Sequence, residues 1–350
     1  MINSLCIIGH PSSLGGADTE LDHQIRCWQA MGIEVHVCPG GPLDENLKGM
    51  KLEERGCVYH EPNDWASLEG LHCISFCNDQ FLENLEQIHK FARSTTFVNC
   101  MSWTFEQEIV AQSQGWIDFQ LYQTQHAFEK VSARLKDFES YRPLFFQPYF
   151  HAEDFPFIDN RPQEKFRFGR ISRADADKFH PRQLWIYDTM TAPVLKEGLI
   201  LGWGENVREK FGKTPEPFVS TLPPCGLSQR AFYTQCDAII MTTDTFENLP
   251  RVGFEAMASG SILIVDDRGG WRIQVEDGVT GWLCRDDREF VYKASRCAFE
   301  KGERERMRIA AREKLEREWG LQVAMDSWAQ VFAEWEKLPR QGKPQSVLTS

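Results

Sequence analysis

The sequence TTDTFENLPRVGFEAMASGSILIVDDRGGWRIQVEDGVTGWL occupies residues 242–283 and sets the fold expected for the second half of the chain. It holds two glutamates, Glu247 and Glu255, with seven residues between them. A helix of 3.6 residues per turn allows this spacing to lead from a loop into the second helical turn. We therefore expect Glu247 on a loop and Glu255 inside the helix that follows.

The residues after the glutamates continue an α/β pattern. Residues 253–259 favour a helix, and Gly260 is typical of a helix end. The apolar run at 262–265 predicts a short buried strand, residues 269–270 are a pair of glycines, and residues 277–278 predict a turn.

Short apolar segments upstream alternate with helical patterns in the same way. The predicted strands of this half cover residues 165–171, 199–203, 219–222 and 238–242, and the predicted helices cover 181–194 and 227–235. Alternation of this kind is typical of a parallel sheet covered by helices.

The first half of the chain opens with a βαβ unit. Residues 2–8 predict a buried strand, 9–16 a Gly-rich loop, 17–31 a helix and 33–38 a second strand. Ligands of open α/β sheets bind at the carboxyl ends of the strands, where a helix N-terminus favours an anion. Further strands are expected at 71–76, 96–100 and 119–123, separated by helices at 81–93, 105–114 and 127–136.

A proline-rich segment at 142–165 separates the two halves and predicts a linker. A charged helical stretch follows at 287–318, and after Gly320 one more amphipathic helix is expected at 321–335. The expected domains are residues 1–155 together with the C-terminal helix at 320–340, and residues 160–319.

Composition narrows the class of protein. The 350 residues carry a net charge of −12, and residues 1–150 hold 10 Lys and Arg against 20 Asp and Glu, so a polyanion partner is disfavoured in bulk. The 11 cysteines include no CxxC pair, which favours reduced thiols and the cytoplasm over a metal site. The N-terminus lacks the features of a signal peptide, and no apolar run reaches the roughly 18 residues of a membrane span.

The polar residues at the ends of the predicted strands suit a nucleotide sugar. A carboxylate accepts two hydroxyl hydrogen bonds, so Glu255 could bind a ribose diol and Glu247 a sugar. The first amides of the helix after Asn248 could bind phosphate oxygens. Arg170, Arg173 and Lys178 supply cations that would neutralise a leaving diphosphate.

These stretches resemble the GT-B glycosyltransferases, specifically the retaining family GT4. Residues 247–255 are similar to the E-x7-E signature of that family, and residues 255–260 and 266–283 to its continuation. Gly169 and Arg170 with Lys178 resemble its diphosphate site, and residues 15–20, GGADTE, resemble its GGAE loop.

The resemblance implies an α/β protein of the GT-B fold, with two Rossmann-like domains facing across a cleft, the first on the acceptor side and the second binding the nucleotide sugar. It implies a retaining transferase that needs no metal and no cofactor, with a donor that we take to be of the UDP type. The candidate catalytic residues are Glu247, Arg170, Lys178 and His126, and the candidate donor-binding residues are Gly15, Gly16, Arg173, Asn248, Leu249, Pro250, Arg251 and Glu255.

Three departures from the family pattern leave specificity open. The first glutamate is followed by Asn248-Leu249-Pro250-Arg251 instead of small apolar residues. Arg170 and Lys178 are spaced more widely than in the family, so Arg173 is a substitute for one of them. The first domain lacks the usual sugar-site histidine, for which Ser102, Trp103 and His126 are the candidates.

Several functions remain compatible with these residues. The acceptor could be a glycan, a lipid-linked sugar or a small molecule, and alternatives are a transferase that modifies DNA (at a hydroxymethylated base) or protein. A catalytically degenerate GT-B binding protein and a sugar-nucleotide epimerase of similar fold are the remaining alternatives. Nucleic acid enters only as an acceptor substrate.

Overall fold

A computed structural model describes residues 2–9, 16–41, 52–162 and 164–338. The chain forms two compact units. One ends at Tyr149 and takes in the segment that begins at Leu321, and the other spans Phe150–Gly320. The chain thus changes unit inside the proline-rich segment and again at Gly320.

The first unit alternates strands and helices. Its elements before the crossover are β1 (Ser4–Ile8), α1 (Gly16–Ala30), β2 (Glu34–Cys38), β3 (Val58–Tyr59), β4 (His72–Phe76), α2 (Asp79–Phe91), β5 (Ser94–Val98), α3 (Glu106–Ser113), β6 (Phe119–Tyr122), α4 (Gln125–Ser132) and β7 (Pro143–Phe145).

The seven strands form one parallel sheet in the order β3-β2-β1-β4-β5-β6-β7. Successive residues of β1 face opposite sides: Leu5 and Ile7 join one apolar core, and Cys6 and Ile8 join the other. A sheet covered on both faces buries continuous apolar strands. This explains why the strand residues read as unbroken apolar runs.

The second unit is built in the same way. Its elements are β8 (Lys165–Ile171), α5 (Gln183–Thr189), β9 (Leu195–Leu201), α6 (Glu205–Phe211), β10 (Val219–Leu222), α7 (Gln229–Gln235), β11 (Ala238–Met241), α8 (Arg251–Ser259), β12 (Ile262–Asp266), α9 (Trp271–Gln274), β13 (Gly281–Cys284), α10 (Asp287–Phe299) and α11 (Lys301–Trp319).

Its six parallel strands lie in the order β10-β9-β8-β11-β12-β13. The order reverses between β8 and β11, so the loops after these two strands flank the point where open α/β sheets bind their ligands. Residues on β12 again alternate, with Ile262 and Ile264 in one core and Leu263 and Val265 in the other.

The last helix, α12 (Leu321–Glu336), belongs to the first unit. Trp328 is fully buried there, with its ring edge-on to Trp28 of α1 at 5.0 Å between ring centroids. Its indole N–H donates to Gln24 at 2.8 Å. None of the helices in the described ranges is long and apolar enough to cross a membrane.

Most strands match the sequence expectation, but β3 was not expected, and further elements differ. The helix expected over 181–194 ends at Thr189, because Pro193 disfavours helical backbone in the residue before it. The proline-rich segment contains β7, an edge strand, where a proline that lacks an N–H is tolerated. Residues 281–284 form β13 beyond the turn that the sequence indicated.

Candidate active site

The loops after β8 and β11 are tied together at the reversal of strand order. The backbone N–H of His180 donates to the Thr242 carbonyl at 3.3 Å, and that of Asp244 donates to the Asp177 carbonyl at 3.0 Å. Between them, the Lys178 ammonium lies 2.8 Å from the Glu247 carboxylate. The structure therefore brings together two of the candidate catalytic residues that are 69 positions apart in sequence.

Both members of this pair are partly open to solvent. The Lys178 side chain is 21% exposed and that of Glu247 is 14% exposed. Each keeps hydrogen-bonding capacity beyond the pair, because an ammonium has three donors and a carboxylate has about four acceptor sites. A ligand that carries both an anion and hydroxyl groups can bind the two side chains at once.

The glycine pair shapes the loop that carries Glu247. The backbone N–H of Gly270 donates to the Glu247 carbonyl at 2.8 Å. A Cβ atom on Gly270 would overlap the Asn248 carbonyl oxygen, and Gly269 has a φ of +56°, which side chains disfavour. The pair is needed because the Glu247 turn lies directly on its backbone.

Arg170 is buried at the end of β8, with 0% of its surface exposed. Its guanidinium donates to the Lys178 carbonyl at 2.6 Å and to Gln183 at 3.0 Å, and it stacks on the Phe179 ring at 3.7 Å. Burial lowers the pKa of Arg170 to about 10. Arg170 thus supports the loop that carries Lys178 through its backbone carbonyl. Direct contact between Arg170 and a diphosphate stays a prediction.

Arg173 is a solvent-exposed cation on the same loop. Its side chain is 64% exposed and lies 2.9 Å from the Asp175 carboxylate. It stands five residues before Lys178. An exposed guanidinium can turn toward an arriving anion, because a surface ion pair of this kind contributes only about 0–1 kcal/mol.

Glu255 lies in the second turn of α8, as its spacing from Glu247 predicted. It is buried, with 3% of its surface exposed, and accepts a hydrogen bond from the Tyr233 hydroxyl at 2.8 Å. Burial raises the pKa of Glu255, while the Tyr233 hydrogen bond and the positive charge of Arg251 oppose that rise. Tyr233, on α7, was missed from the sequence because no local pattern places it beside α8.

The residues between the glutamates form the start of α8. Pro250 is the N-cap, and its carbonyl accepts from the Gln274 amide at 2.9 Å. Asn248 is buried and Leu249 packs against the core. The Arg251 guanidinium lies 4.7 Å from the centre of the Phe150 ring. This stretch is held from several sides, which fixes the first amides of the helix.

Asp266 is a further buried carboxylate of this edge. Its oxygens accept from the Thr242 hydroxyl at 2.6 Å and from the Thr243 backbone N–H at 3.0 Å. Burial raises its pKa, and the hydrogen bond from Thr242 is the largest effect opposing that rise. Asp266 ends β12 and holds the loop after β11 through these two hydrogen bonds.

The remaining candidates lie in the first unit. Gly16 is the first residue of α1, and Gly15 lies outside the described residues. His126 is in the first turn of α4, which is capped by the Thr124 hydroxyl. Within the described ranges, no group of three or more His, Cys, Asp or Glu side chains is arranged to hold a metal ion.

Residues 228–314 match the model of the family of glycosyl transferases group 1. The matched segment begins at the Ser228 cap of α7 and includes Glu247, Glu255 and the glycine pair. No curated protein matches the sequence of the chain.

Several solved structures share the fold. HepE from Anabaena in complex with UDP-glucose has 14% identity and a TM-score of 0.73, covering 95% of this chain and 99% of that chain. A glycosyltransferase from Rickettsia africae has 13% identity and a TM-score of 0.69, covering 96% and 100%. Sucrose-phosphate synthase from Thermosynechococcus elongatus has 12% identity and a TM-score of 0.66, covering 95% and 98%.

Sequence identities of 12–14% to these structures establish only the fold. The match of residues 228–314 to the family model is a separate similarity, in sequence. Both parallel-sheet units correspond to the expected Rossmann-like domains. The chain therefore has the two-domain α/β fold of GT-B glycosyltransferases, and its residues 228–314 match the glycosyl transferases group 1 model, which together confirm the expectation of a glycosyltransferase.

Proposed function

We propose that the chain is a retaining, metal-independent glycosyltransferase of the GT4 type that moves a sugar from a UDP-type donor to a hydroxyl acceptor. The observation that carries this proposal is the Lys178–Glu247 pair, 2.8 Å apart, beside the start of α8, which bears Glu255. The Anabaena HepE structures contain UDP-glucose in one case and UDP with glucose in another, which supports the UDP assignment.

Lys178 and Arg173 are the cations that we assign to the diphosphate. Both lie on the loop after β8, and both have exposed surface. Their charges stabilise the negative charge that develops as the diphosphate leaves, a task that a divalent ion performs in metal-dependent enzymes. Arg170 positions this loop through its hydrogen bond to the Lys178 carbonyl.

The transfer breaks the bond between the anomeric carbon and the diphosphate oxygen and forms a bond from that carbon to the acceptor oxygen. Retention follows if the acceptor attacks on the face that the diphosphate leaves. The departing phosphate oxygen then takes the acceptor proton, so no carboxylate nucleophile is assigned. Glu247 binds hydroxyls of the donor sugar, and its pairing with Lys178 keeps that sugar beside the leaving group.

Glu255 is assigned to the ribose diol. The Tyr233 hydroxyl occupies one acceptor site of the carboxylate and leaves others for the two ribose hydroxyls. Asn248, Leu249, Pro250 and Arg251 lead into α8, whose first backbone amides are assigned to the phosphates, and they shape the donor-sugar site.

The first unit is assigned to the acceptor side. The site residues proposed from this unit are Gly15, Gly16 and His126. The cytoplasm is the proposed location, because all 11 cysteines are free thiols.

A screen of nucleotide sugars tests this function. UDP-sugars should raise the unfolding temperature more than GDP- or ADP-sugars, since a ligand at 100 times its dissociation constant adds about 2.7 kcal/mol of stability. Slow release of nucleoside diphosphate from the stabilising donor should persist in EDTA. NMR of the product should show the donor's anomeric configuration.

Lys178→Met should lower this release about 100-fold, the loss typical of removing one group that stabilises developing charge. Lys165→Met is the matched control, because Lys165 also pairs with a glutamate but begins β8 at the opposite edge of the sheet. Failure of every donor to bind and react would rule out the proposed function. An inverted product would rule out the retaining mechanism alone.

A further inference from the structure

Two partly exposed cysteines follow the neighbouring parallel strands β4 and β5 of the first unit, at the carboxyl ends of these strands. Cys77 directly follows β4, and Cys100 stands two residues after β5. All eleven cysteines of the chain are described and are free thiols. Eight are buried and Cys225 is exposed, so Cys77 and Cys100 have an intermediate accessibility that the others lack.

Cys100 contacts the Cys77 side chain directly. The Cys100 backbone N–H donates to the Cys77 sulfur at 2.9 Å. The Cys77 thiol in turn donates to the Val98 carbonyl oxygen at 3.4 Å. The sulfur of Cys77 therefore lies between one donor and one acceptor, both from the chain at the end of β5.

The backbone at Cys77 is strained. Its φ is +47°, in the left-handed region that residues with a Cβ rarely adopt. The ladder between β4 and β5 extends one step further here, because the Cys77 N–H donates to the Val98 carbonyl at 3.1 Å. Strained residues persist where their surroundings determine the conformation, and such residues concentrate at functional sites.

We propose that Cys77 and Cys100 are an oxidisable dithiol that low-molecular-weight disulfides convert into an intramolecular disulfide. Cys77 is the attacking residue, because its sulfur accepts the Cys100 backbone N–H and its backbone is held in the left-handed region. Cys100 is the resolving residue. The interaction with Cys77 and burial raise the pKa of the Cys100 thiol, and the carboxylates of Glu20 and Asp18 on α1 add to this effect.

The chemistry balances with glutathione disulfide as oxidant. The Cys77 thiolate attacks one sulfur, forms a mixed disulfide and releases one glutathione thiolate, which accepts the Cys100 proton. The Cys100 sulfur then attacks the Cys77 sulfur and releases the second glutathione. Two protein thiols are oxidised, and one glutathione disulfide is reduced to two glutathione molecules.

The chain contains an internal control for this proposal. Cys6 and Cys73 lie directly opposite each other in the register of β1 and β4. Both are fully buried, whereas Cys77 and Cys100 are partly exposed. A difference in the rate of disulfide formation between the two pairs therefore reflects the exposure and surroundings of the thiols, because both pairs are close together.

The experiment treats the full chain carrying Cys225→Ser with glutathione disulfide at neutral pH, followed by acid quenching, intact mass and non-reducing peptide mapping. We expect loss of two hydrogens, a Cys77–Cys100 linked peptide, and reversal by dithiothreitol. Cys100→Ser should accumulate a stable glutathione adduct on Cys77. Cys77→Ser should slow modification of Cys100 at least tenfold.

A stable adduct on Cys77 in the parent protein would overturn the proposal, because it would mean that Cys100 does not resolve it. Linkage of Cys6 to Cys73 at an equal rate, or absence of any linked peptide, would overturn it as well. These outcomes are measured on the parent protein, so they do not depend on the folding of the cysteine variants.

Discussion

Arg170 and Arg173 are three residues apart, yet they occupy opposite environments. Arg170 is fully buried and donates to the Lys178 carbonyl, while Arg173 is mostly exposed and pairs with Asp175. A cation that binds a departing diphosphate must reach it, whereas a buried guanidinium stabilises the loop beneath. Replacing Arg173 should therefore lower mainly donor turnover, whereas replacing Arg170 should lower mainly the free energy of unfolding.

Arg173→Met should lower donor turnover about tenfold to 100-fold and leave the unfolding free energy nearly unchanged, because it removes an exposed charge. Arg170→Met should lower the unfolding free energy by about 3 kcal/mol, because it leaves buried partners unsatisfied. Urea denaturation with a donor-release assay separates the two effects. Equal loss of stability in both variants would contradict these roles.

Glu108 should make the stability of the first unit depend on pH. It is fully buried in α3, where its carboxylate accepts from the Asn99 amide at 2.9 Å and from the Phe105 backbone N–H at 3.1 Å. Burial raises the pKa of Glu108 to about 7. The folded protein thus holds this proton more tightly than the unfolded chain, whose glutamates titrate near pH 4.5.

The stability of the first unit should fall as the pH rises from about 4.5 to 7, by up to about 3 kcal/mol from this group. Glu108→Gln keeps an acceptor and cannot ionise, so the variant should gain about that amount relative to the parent between pH 5 and pH 8. Urea unfolding at the two pH values measures the difference. A constant difference would show that Glu108 is ionised throughout.

At the scale of elements, α8 and the loop before it position the two glutamates of the candidate site. The loop before it lies on the glycine pair, and α7 holds Glu255 from the side through Tyr233. Both supports come from elements distant in sequence, and each can be removed alone.

Gly270→Ala should displace the turn at Glu247, because its Cβ would overlap the Asn248 carbonyl oxygen. We expect donor turnover to fall more than tenfold while the unit stays folded by circular dichroism. Gly302→Ala in α11 is the control, since its Cβ would make only an ordinary contact with the Arg306 side chain and alanine favours a helix by about 1 kcal/mol over glycine. Normal turnover in Gly270→Ala would contradict the assigned importance of this turn.

Tyr233→Phe removes the hydroxyl that donates to Glu255 and keeps the aromatic ring in the core. The affinity for UDP should fall about tenfold, consistent with the 1.5–3 kcal/mol typical of a hydrogen bond to a charged group. The loss should be greatest at low pH, because the pKa of Glu255 rises further without this donor. Titration calorimetry at pH 6 and pH 8 measures both effects.

Tyr187→Phe is the matched control for this change. Tyr187 is also fully buried in the second unit, but its hydroxyl donates to the Ile240 carbonyl at 2.8 Å. A similar loss of UDP affinity in both variants would assign the effect to general destabilisation instead of to Glu255.

At the scale of the whole molecule, each unit has its own cores, and the chain crosses between units twice. The second crossing delivers α12 to the first unit, where Trp328 and Trp335 are fully buried. The apolar core of the first unit is therefore complete only when α12 packs onto it.

Trp328→Ala should destabilise the first unit by about 3–5 kcal/mol, the usual cost of emptying a buried tryptophan site. Calorimetry should show the loss in the transition that UDP does not shift, because the proposed nucleotide residues lie in the second unit. Trp103→Ala is the control, since that side chain is 54% exposed and should change stability by only about 0.5 kcal/mol. A shift of the UDP-sensitive transition alone would contradict this assignment.

Much of the fold and part of the candidate site could be predicted from the sequence. The strands were evident because a sheet covered on both faces needs continuous apolar runs, as at Ile262–Asp266. The edge strand β7 was missed, because its prolines read as a linker. The position of Glu255 in α8 was predictable since it depends only on local spacing and on Gly260.

The sequence by itself determined the alternating α/β pattern, the two glutamates and the glycine pair, because these features depend on neighbours within a few residues. Only the tertiary structure decided that Arg170 is buried while Arg173 is exposed, and that Tyr233 contacts Glu255. It also decided that Cys77 meets Cys100, although Cys73 is its nearest cysteine in sequence. Burial and contacts between strands depend on residues far apart in the chain, so no local pattern contains them.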